Sequence, residues 1–156
     1  ISKMSERQYV VFVLNGEYYG IDILSIQEIT RYEAPTRIPD MPSYVQGVLN
    51  LRGNIIPVIN LRRKFKLGCS EISRENRIIV LNLFNKKTGL LVDSVARVTK
   101  IDDGEIESPH DTAIVCQREY IAGLAKKGDK IIVLLEPAAL MVESREIRME
   151  EMTPTN

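Results

Sequence analysis

Residues 47–62 read GVLNLRGNIIPVINLR. Two short apolar runs meet at Gly53-Asn54, a pair suited to the φ > 0 conformations of a tight turn. The stretch therefore predicts a β-hairpin, with Gly47 to Arg52 outbound and Ile55 to Ile59 returning. Residues two apart on a strand share a face. Val48, Asn50 and Arg52 would then point one way, and Leu49 and Leu51 the other. The leucines can fill a barrel, while the amide and guanidinium can stand at a rim. Ordinary solvent-side polarity competes with a binding role for Asn50 and Arg52, and without further information it is the favoured reading. Pro57 has no N–H for a ladder, which predicts an edge or a bulge. Leu61 to Leu67 reads as a short basic helix stopped by Gly68 at its C′ position.

The flanking sequence has the same texture. Tyr9 to Leu14 is apolar at nearly every position, which predicts a strand buried on both faces. Asn15-Gly16 turns the chain into a second strand, Tyr18 to Ile23. Leu24 to Thr30 fits either a helical stripe or a strand; a helical turn with Ser25 near its start is the weakly preferred reading. Residues 31–42 carry Pro35, Pro39 and Pro42 and read as a loop, with room for one short strand. Ser43 can cap a helical turn over Tyr44 to Gln46. Further strands are expected over Ile78 to Phe84, Gly89 to Val98 (one strand or a pair), Tyr120 to Ala125 and Ile131 to Leu135. Turns are expected at Asn85 to Thr88 and Lys126 to Asp129. Ile101 to Thr112 is acidic and reads as loop with short turns. Pro137 can open a final helix through Val142. Eight to ten strands with few helices point to a mainly β protein curled into barrels or split into layers. The repeated order strand, turn, strand, short helix permits two similar sub-barrels.

Composition narrows the function. Hydrophobic residues make up 44% of 156, enough for one packed domain. The 21 basic and 21 acidic side chains cancel, which argues against a broad basic face for nucleic acid or anionic lipid. No apolar run approaches the roughly 20 residues of a membrane helix, and residues 1–7 do not read as a signal peptide. Cys69 and Cys116 lack CxxC spacing and are expected to be buried free thiols. His110 sits in the acidic loop with no partner at metal-ligand spacing. Asp93, inside an apolar run, reads as a hydrogen-bonded structural residue at a strand bend. The run 62–66 reads as a solvated basic helix face, and Gly16, Gly53, Gly89 and Gly128 as turn residues. No P-loop, nucleophile–base pair or metal cluster appears, so neither an enzyme nor a cofactor is expected.

The hairpin closely resembles the signature of the CheW family, the bacterial chemotaxis coupling proteins, in which a GxxNLRGxxxPVxxLR stretch leads into a short helix. Tyr19 to Ile23 with Ile26 to Ile29 resembles the family's YGIDI..VxEI element. Gly89 to Val95 resembles its GLxVDxV strand, and Gly123-Leu124 with Ile131 to Leu135 its closing hairpin. The matches run in family order over roughly residues 9 to 142. The stretch from Cys69 to Arg77 matches weakly.

The resemblance implies two SH3-like five-stranded β sub-barrels packed on a shared hydrophobic core. The approximate segments are 16–82 for the first and 8–15 with 83–142 for the second, followed by a polar tail at 143–156. It implies a non-catalytic, cytoplasmic adaptor recruited to the membrane-associated chemoreceptor array, without membrane insertion or nucleic-acid binding. The implied partners are the regulatory domain of the histidine kinase CheA and the cytoplasmic tip of methyl-accepting chemoreceptors. The 156 residues contain no kinase or receiver segment, which favours a stand-alone coupler. The receptor groove carries over to Ile26, Glu28, Ile29, Gly47, Arg52 and Val98, with Glu28 and Arg52 able to pair. The kinase surface carries over to Arg37, Ile38, Pro39, Asp40 and Met41. A nucleic-acid-binding small barrel and a small hydrolase are the competing classes; zero net charge with three Phe and no Trp disfavours the first, and the missing catalytic constellation the second.

Overall fold

The computed structural model describes residues 6–108 and 118–141. Among these residues, eleven strands form two sheets. The first contains β3 (Ile26–Arg31), β4 (Val45–Leu51), β5 (Asn54–Asn60), β6 (Arg77–Leu83) and β7 (Lys86–Val92), in the order β3-β6-β7-β5-β4. The second contains β1 (Glu6–Leu14), β2 (Glu17–Asp22), β8 (Ser94–Asp102), β9 (Ile106–Glu107), β10 (Ile121–Lys127) and β11 (Lys130–Leu135), in the order β8-β1-β2-β11-β10-β9. Helix α1 (Leu61–Lys64) follows β5, and α2 (Pro137–Leu140) follows β11.

The two sheets repeat one topology. Reading β3, β6, β7, β5 and β4 against β8, β1, β2, β11 and β10 matches strand for strand, including the parallel pairs β5–β7 and β2–β11. Each sheet curls and closes in the same way. Thr36, beyond β3, exchanges both backbone hydrogen bonds with Val48 of β4, at 2.8 and 2.9 Å. Beyond β8, the two-residue strand β9 pairs with β10. The result is two SH3-like sub-barrels of five main strands each, the second with the two-residue β9 as a sixth. Hydrogen bonding places β2 beside β1 and β7 beside β6, so the sheets divide the chain near residues 22–26 and 92–94, not at 16 and 82.

Strand alternation distributes the apolar residues among three cores. Val10, Phe12 and Leu14 of β1 enter the core shared by both sub-barrels, where they meet Ile79 and Leu81 of β6 and Leu90 and Val92 of β7. Tyr9 and Val11 turn the other way and pack with Ile101, Ala125, Ile132 and Leu134 inside the second sub-barrel. Ile78 and Val80 likewise join Leu49, Ile56, Val58 and Leu91 inside the first. This double burial is why β1 lacks polar alternation.

Helix α1 joins the sub-barrels. Its N-cap Asn60 accepts from the Arg63 N–H, and Leu61 is fully buried in the shared core. Arg62 makes a fork to Asp93, with Nε and Nη2 each 2.8 Å from a carboxylate oxygen. The Phe65 ring lies between Tyr19 and Tyr120, at centroid distances of 6.1 and 5.6 Å. Lys64 sits 3.9 Å from the Tyr44 ring centroid. Residues 62–66 are thus no simple solvated face; Arg63 and Lys66 are exposed, whereas Arg62, Lys64 and Phe65 are engaged.

Several local expectations change. The hairpin turn is Arg52-Gly53, with φ of 50° and 84°, and Asn54 already pairs with Leu51. Both central residues of such a two-residue turn need positive φ. The next hairpin likewise turns at Phe84-Asn85, not at 85–88, and Gly89 lies inside β7. An added Cβ there would stand 2.9 Å from the Ile78 side chain, so close packing explains that glycine. Helix α1 ends at Lys64, and its cap is closed by Lys66, before Gly68. Lys66 has φ of 59°, and the N–H groups of Lys66 and Leu67 donate to the Arg63 and Arg62 carbonyls, the paired bonds of a Schellman cap. A 3₁₀ turn does follow β2, but it spans Ile23–Ser25, is capped by Asp22, and gives way to β3. Residues 45 and 46 belong to β4 instead of a helical turn. Pro57 lies in an interior strand of the sheet. Its partner Val48 bonds Thr36 through both backbone groups, so the missing N–H costs no bond to β4. Cys69 is exposed, because residues 68–75 run over the surface.

Candidate functional site

Strand β3 is an edge of the first sheet, and its register with β6 decides where each side chain points. Cross-strand partners share a face. Ile26 pairs with Leu81 and Ile29 with Ile79, both residues of the shared core. Glu28 pairs with Val80, a residue of the sub-barrel interior. A register shift between Ile26 and Glu28 allows this arrangement. At the matching edge of the second sheet, β8 pairs with β1, and Val98 stands across from Val10 of the shared core. Ile26 packs against that core, whereas Ile29 and Val98 remain 38% and 49% exposed. The edge strands of the two sub-barrels thus leave apolar side chains open beside the shared core.

Glu28 and Arg52 meet at the mouth of the first sub-barrel. The Arg52 guanidinium donates to the Glu28 carboxylate and forms an ion pair with it. This hydrogen bond, with help from Gln27 and nearby positive charge, holds the Glu28 carboxyl below its ordinary range. The Gln27 amide donates to Glu28 at 3.4 Å and accepts from Asn82 at 3.1 Å. The Arg52 side chain is 73% exposed and that of Glu28 19%, so the carboxylate anchors an outward cation. A small recess of about 50 Å³ beside it is lined by Gln27, Arg52, Asn54 and Lys87 among others. Such a site can offer N–H donors to a partner's carboxylate or carbonyl groups, next to an apolar surface.

Arg52 does not reach this position by strand parity, since it occupies the turn. The left-handed turn projects it, and the Asn50 side chain supports the turn by accepting from the Gly53 N–H at 3.1 Å. Gly47 plays another part. It is buried in β4, and a Cβ on it would collide with the Thr36 carbonyl group. Its lack of a side chain lets the first sub-barrel close. Gln27, Asn82 and Lys87 were not singled out from sequence; only their long-range pairing places them here.

Arg37, Ile38, Pro39, Asp40 and Met41 come together in one loop. With Pro42, Ser43, Val45, Gln46 and Arg63 they line an open recess of about 420 Å³. Arg63 of α1 holds its wall by donating to the Ser43 carbonyl at 3.1 Å. Asp40 takes a left-handed conformation with φ of 61°, Ile38 is exposed, and Met41 packs on the shared core.

Asp93 has the structural role expected of it. Burial alone would raise its carboxyl, but the Arg62 fork and the Asn15 N–H outweigh that effect and hold it below the ordinary carboxylate value. His110 and Cys116 lie outside the described residues. Among the described residues no group of three His, Cys, Asp or Glu side chains is placed to hold a metal ion, and no helix is long and apolar enough to cross a membrane.

Comparison with known proteins bears on the family and the fold. The family model of the CheW-like domain matches residues 8–145. The chemotaxis protein CheW of Klebsiella aerogenes is 36% identical over 135 residues, covering 86% of this chain and 81% of that protein. The Treponema pallidum protein of the same name is 34% identical, over 83% of this chain and 78% of its own. The crystal structure of the scaffolding protein CheW from Thermoanaerobacter tengcongensis superposes with a TM-score of 0.79 at 37% identity, covering 85% of this chain and 90% of that one.

Proposed function

The chain belongs to the CheW family, and on that premise we propose that it is a non-catalytic adaptor coupling chemoreceptors to the histidine kinase CheA. The observation that carries the reading is the anchored, outward Arg52 beside open apolar edge positions. An amphipathic helix would lay its apolar face against Ile26, Ile29 and Val98. Its polar flank would meet Arg52, held in place by Glu28. The cytoplasmic tip of a methyl-accepting chemoreceptor supplies such a helix. Gly47 supports the same surface by closing the sub-barrel to which Arg52 belongs.

The recess formed by residues 37–41 is the proposed kinase surface, taking the regulatory domain of CheA. Its separation in sequence from Arg52, and its own wall from Arg63, support two independent contacts. The adaptor would work in the cytoplasm, held at the receptor array by these contacts. Purified chain should bind both a receptor-tip fragment and the kinase regulatory domain in separate titrations. Binding to neither by the folded protein would contradict the proposal.

A further inference from the structure

The shared core brings the sub-barrels together but is non-directional, so burial alone does not fix the angle between them. Directional bonds across the junction converge on Asp93, the residue at which the chain leaves β7 for β8. Its N–H donates to the Val13 carbonyl at 3.1 Å, and its Oδ2 accepts from the Asn15 N–H at 2.8 Å; both partners belong to the second sub-barrel. From the first sub-barrel, Arg62 of α1 grips both carboxylate oxygens at 2.8 Å. The two side chains are 17% and 22% exposed, so water competes weakly for the fork. The guanidinium fork fixes direction as well as distance, which a lysine at the same place would not do.

We propose that Arg62 and Asp93 are positioning residues that set the angle between the sub-barrels, and with it the spacing of the open edges carrying Ile29 and Val98. That these edges receive a chemoreceptor rests on the function proposed above; the angular role does not. Neither residue is placed at a partner surface, so their effect on binding would be indirect.

Spin labels on Ile55→Cys and Ile131→Cys, in a Cys69→Ser and Cys116→Ser background, report the angle. The two isoleucines are exposed and sit on separate sub-barrels. Electron-paramagnetic-resonance distance measurement on the full chain should give one narrow distribution. Arg62→Gln and Asp93→Asn should each broaden it roughly twofold while the circular dichroism of the strands is retained. Arg62→Lys, which keeps the charge and loses the fork, should fall between. The parent width in a folded Arg62→Gln, or in Arg62→Lys should the Gln variant not fold, overturns the proposal. A parent chain that fails to bind a receptor fragment would contradict the functional reading and leave the distance result standing.

Discussion

Arg52 and Glu28, 24 residues apart in sequence, are joined across the mouth of the first sub-barrel by a donor in a left-handed turn and an acceptor on an edge strand. Neither side chain contributes to a core, so their pairing serves the surface. Arg52→Glu should weaken binding of a receptor-tip fragment while the melting temperature stays within about 2 °C of the parent. The swap of Glu28→Arg with Arg52→Glu should recover part of the affinity. A double-mutant cycle reads that coupling, and additive losses would remove the pair from the account.

Gly47 is required for closure. Replacing it with alanine puts a methyl group against the Thr36 backbone, which cannot withdraw without breaking its two bonds to Val48. Gly47→Ala should cost on the order of 1–3 kcal/mol in urea unfolding, the range for overpacked interiors. An unchanged midpoint would mean that the Thr36 bridge yields freely.

Gly53 carries φ of 84° next to Arg52. A β-branched residue is strained in that region, so Gly53→Val should lower stability by about 1 kcal/mol or more. Thermal melting checks this, and a parental curve would show that the turn adopts another geometry.

Asp93 should make stability acid-sensitive. Its carboxyl is held below the ordinary value, so at acid pH the unfolded chain binds its proton more readily than the folded chain. The stabilisation is therefore complete above the unfolded value, about 4, and is lost as pH falls through the lower folded value. Between about pH 5 and pH 3 the parent's melting temperature should fall further than that of Asp93→Asn. Parallel declines would show that the Arg62 fork contributes no pH dependence.

Leu61 tests the shared core. It is fully buried where α1 meets both sub-barrels, so Leu61→Ala should cost about 2–5 kcal/mol. Chemical denaturation should shift in one cooperative step. Separate transitions would show that the sub-barrels unfold independently.

Local patterns made much of this architecture legible. The unbroken apolar run of Tyr9 to Leu14 foretold a strand buried on both faces, because each face enters a different core. The turn at Asn15-Gly16 formed where it was expected, but two others shifted by a residue or so, since Arg52, Phe84 and Asn85 take positive φ without being glycine. That displacement mattered at Arg52, which parity had placed on a strand face. Its pairing with Glu28 was nevertheless anticipated through the family resemblance. Contacts between distant segments left no local trace: Thr36 against Gly47, Arg62 with Asp93, and Phe65 between two tyrosines depend on how the strands are ordered. The basic run was misread for that reason, as the acceptor for Arg62 lies 31 residues away.

The central claim is that one small non-catalytic chain joins two partners through separate surfaces. The most direct measurement is assembly of the full chain with a receptor-tip fragment and the CheA regulatory domain, followed by size-exclusion chromatography with light scattering. The account predicts a three-component complex for the parent. For Arg52→Glu it predicts a complex with the kinase domain alone. Retention of the receptor fragment by Arg52→Glu, or loss of both partners together from a folded variant, would contradict it.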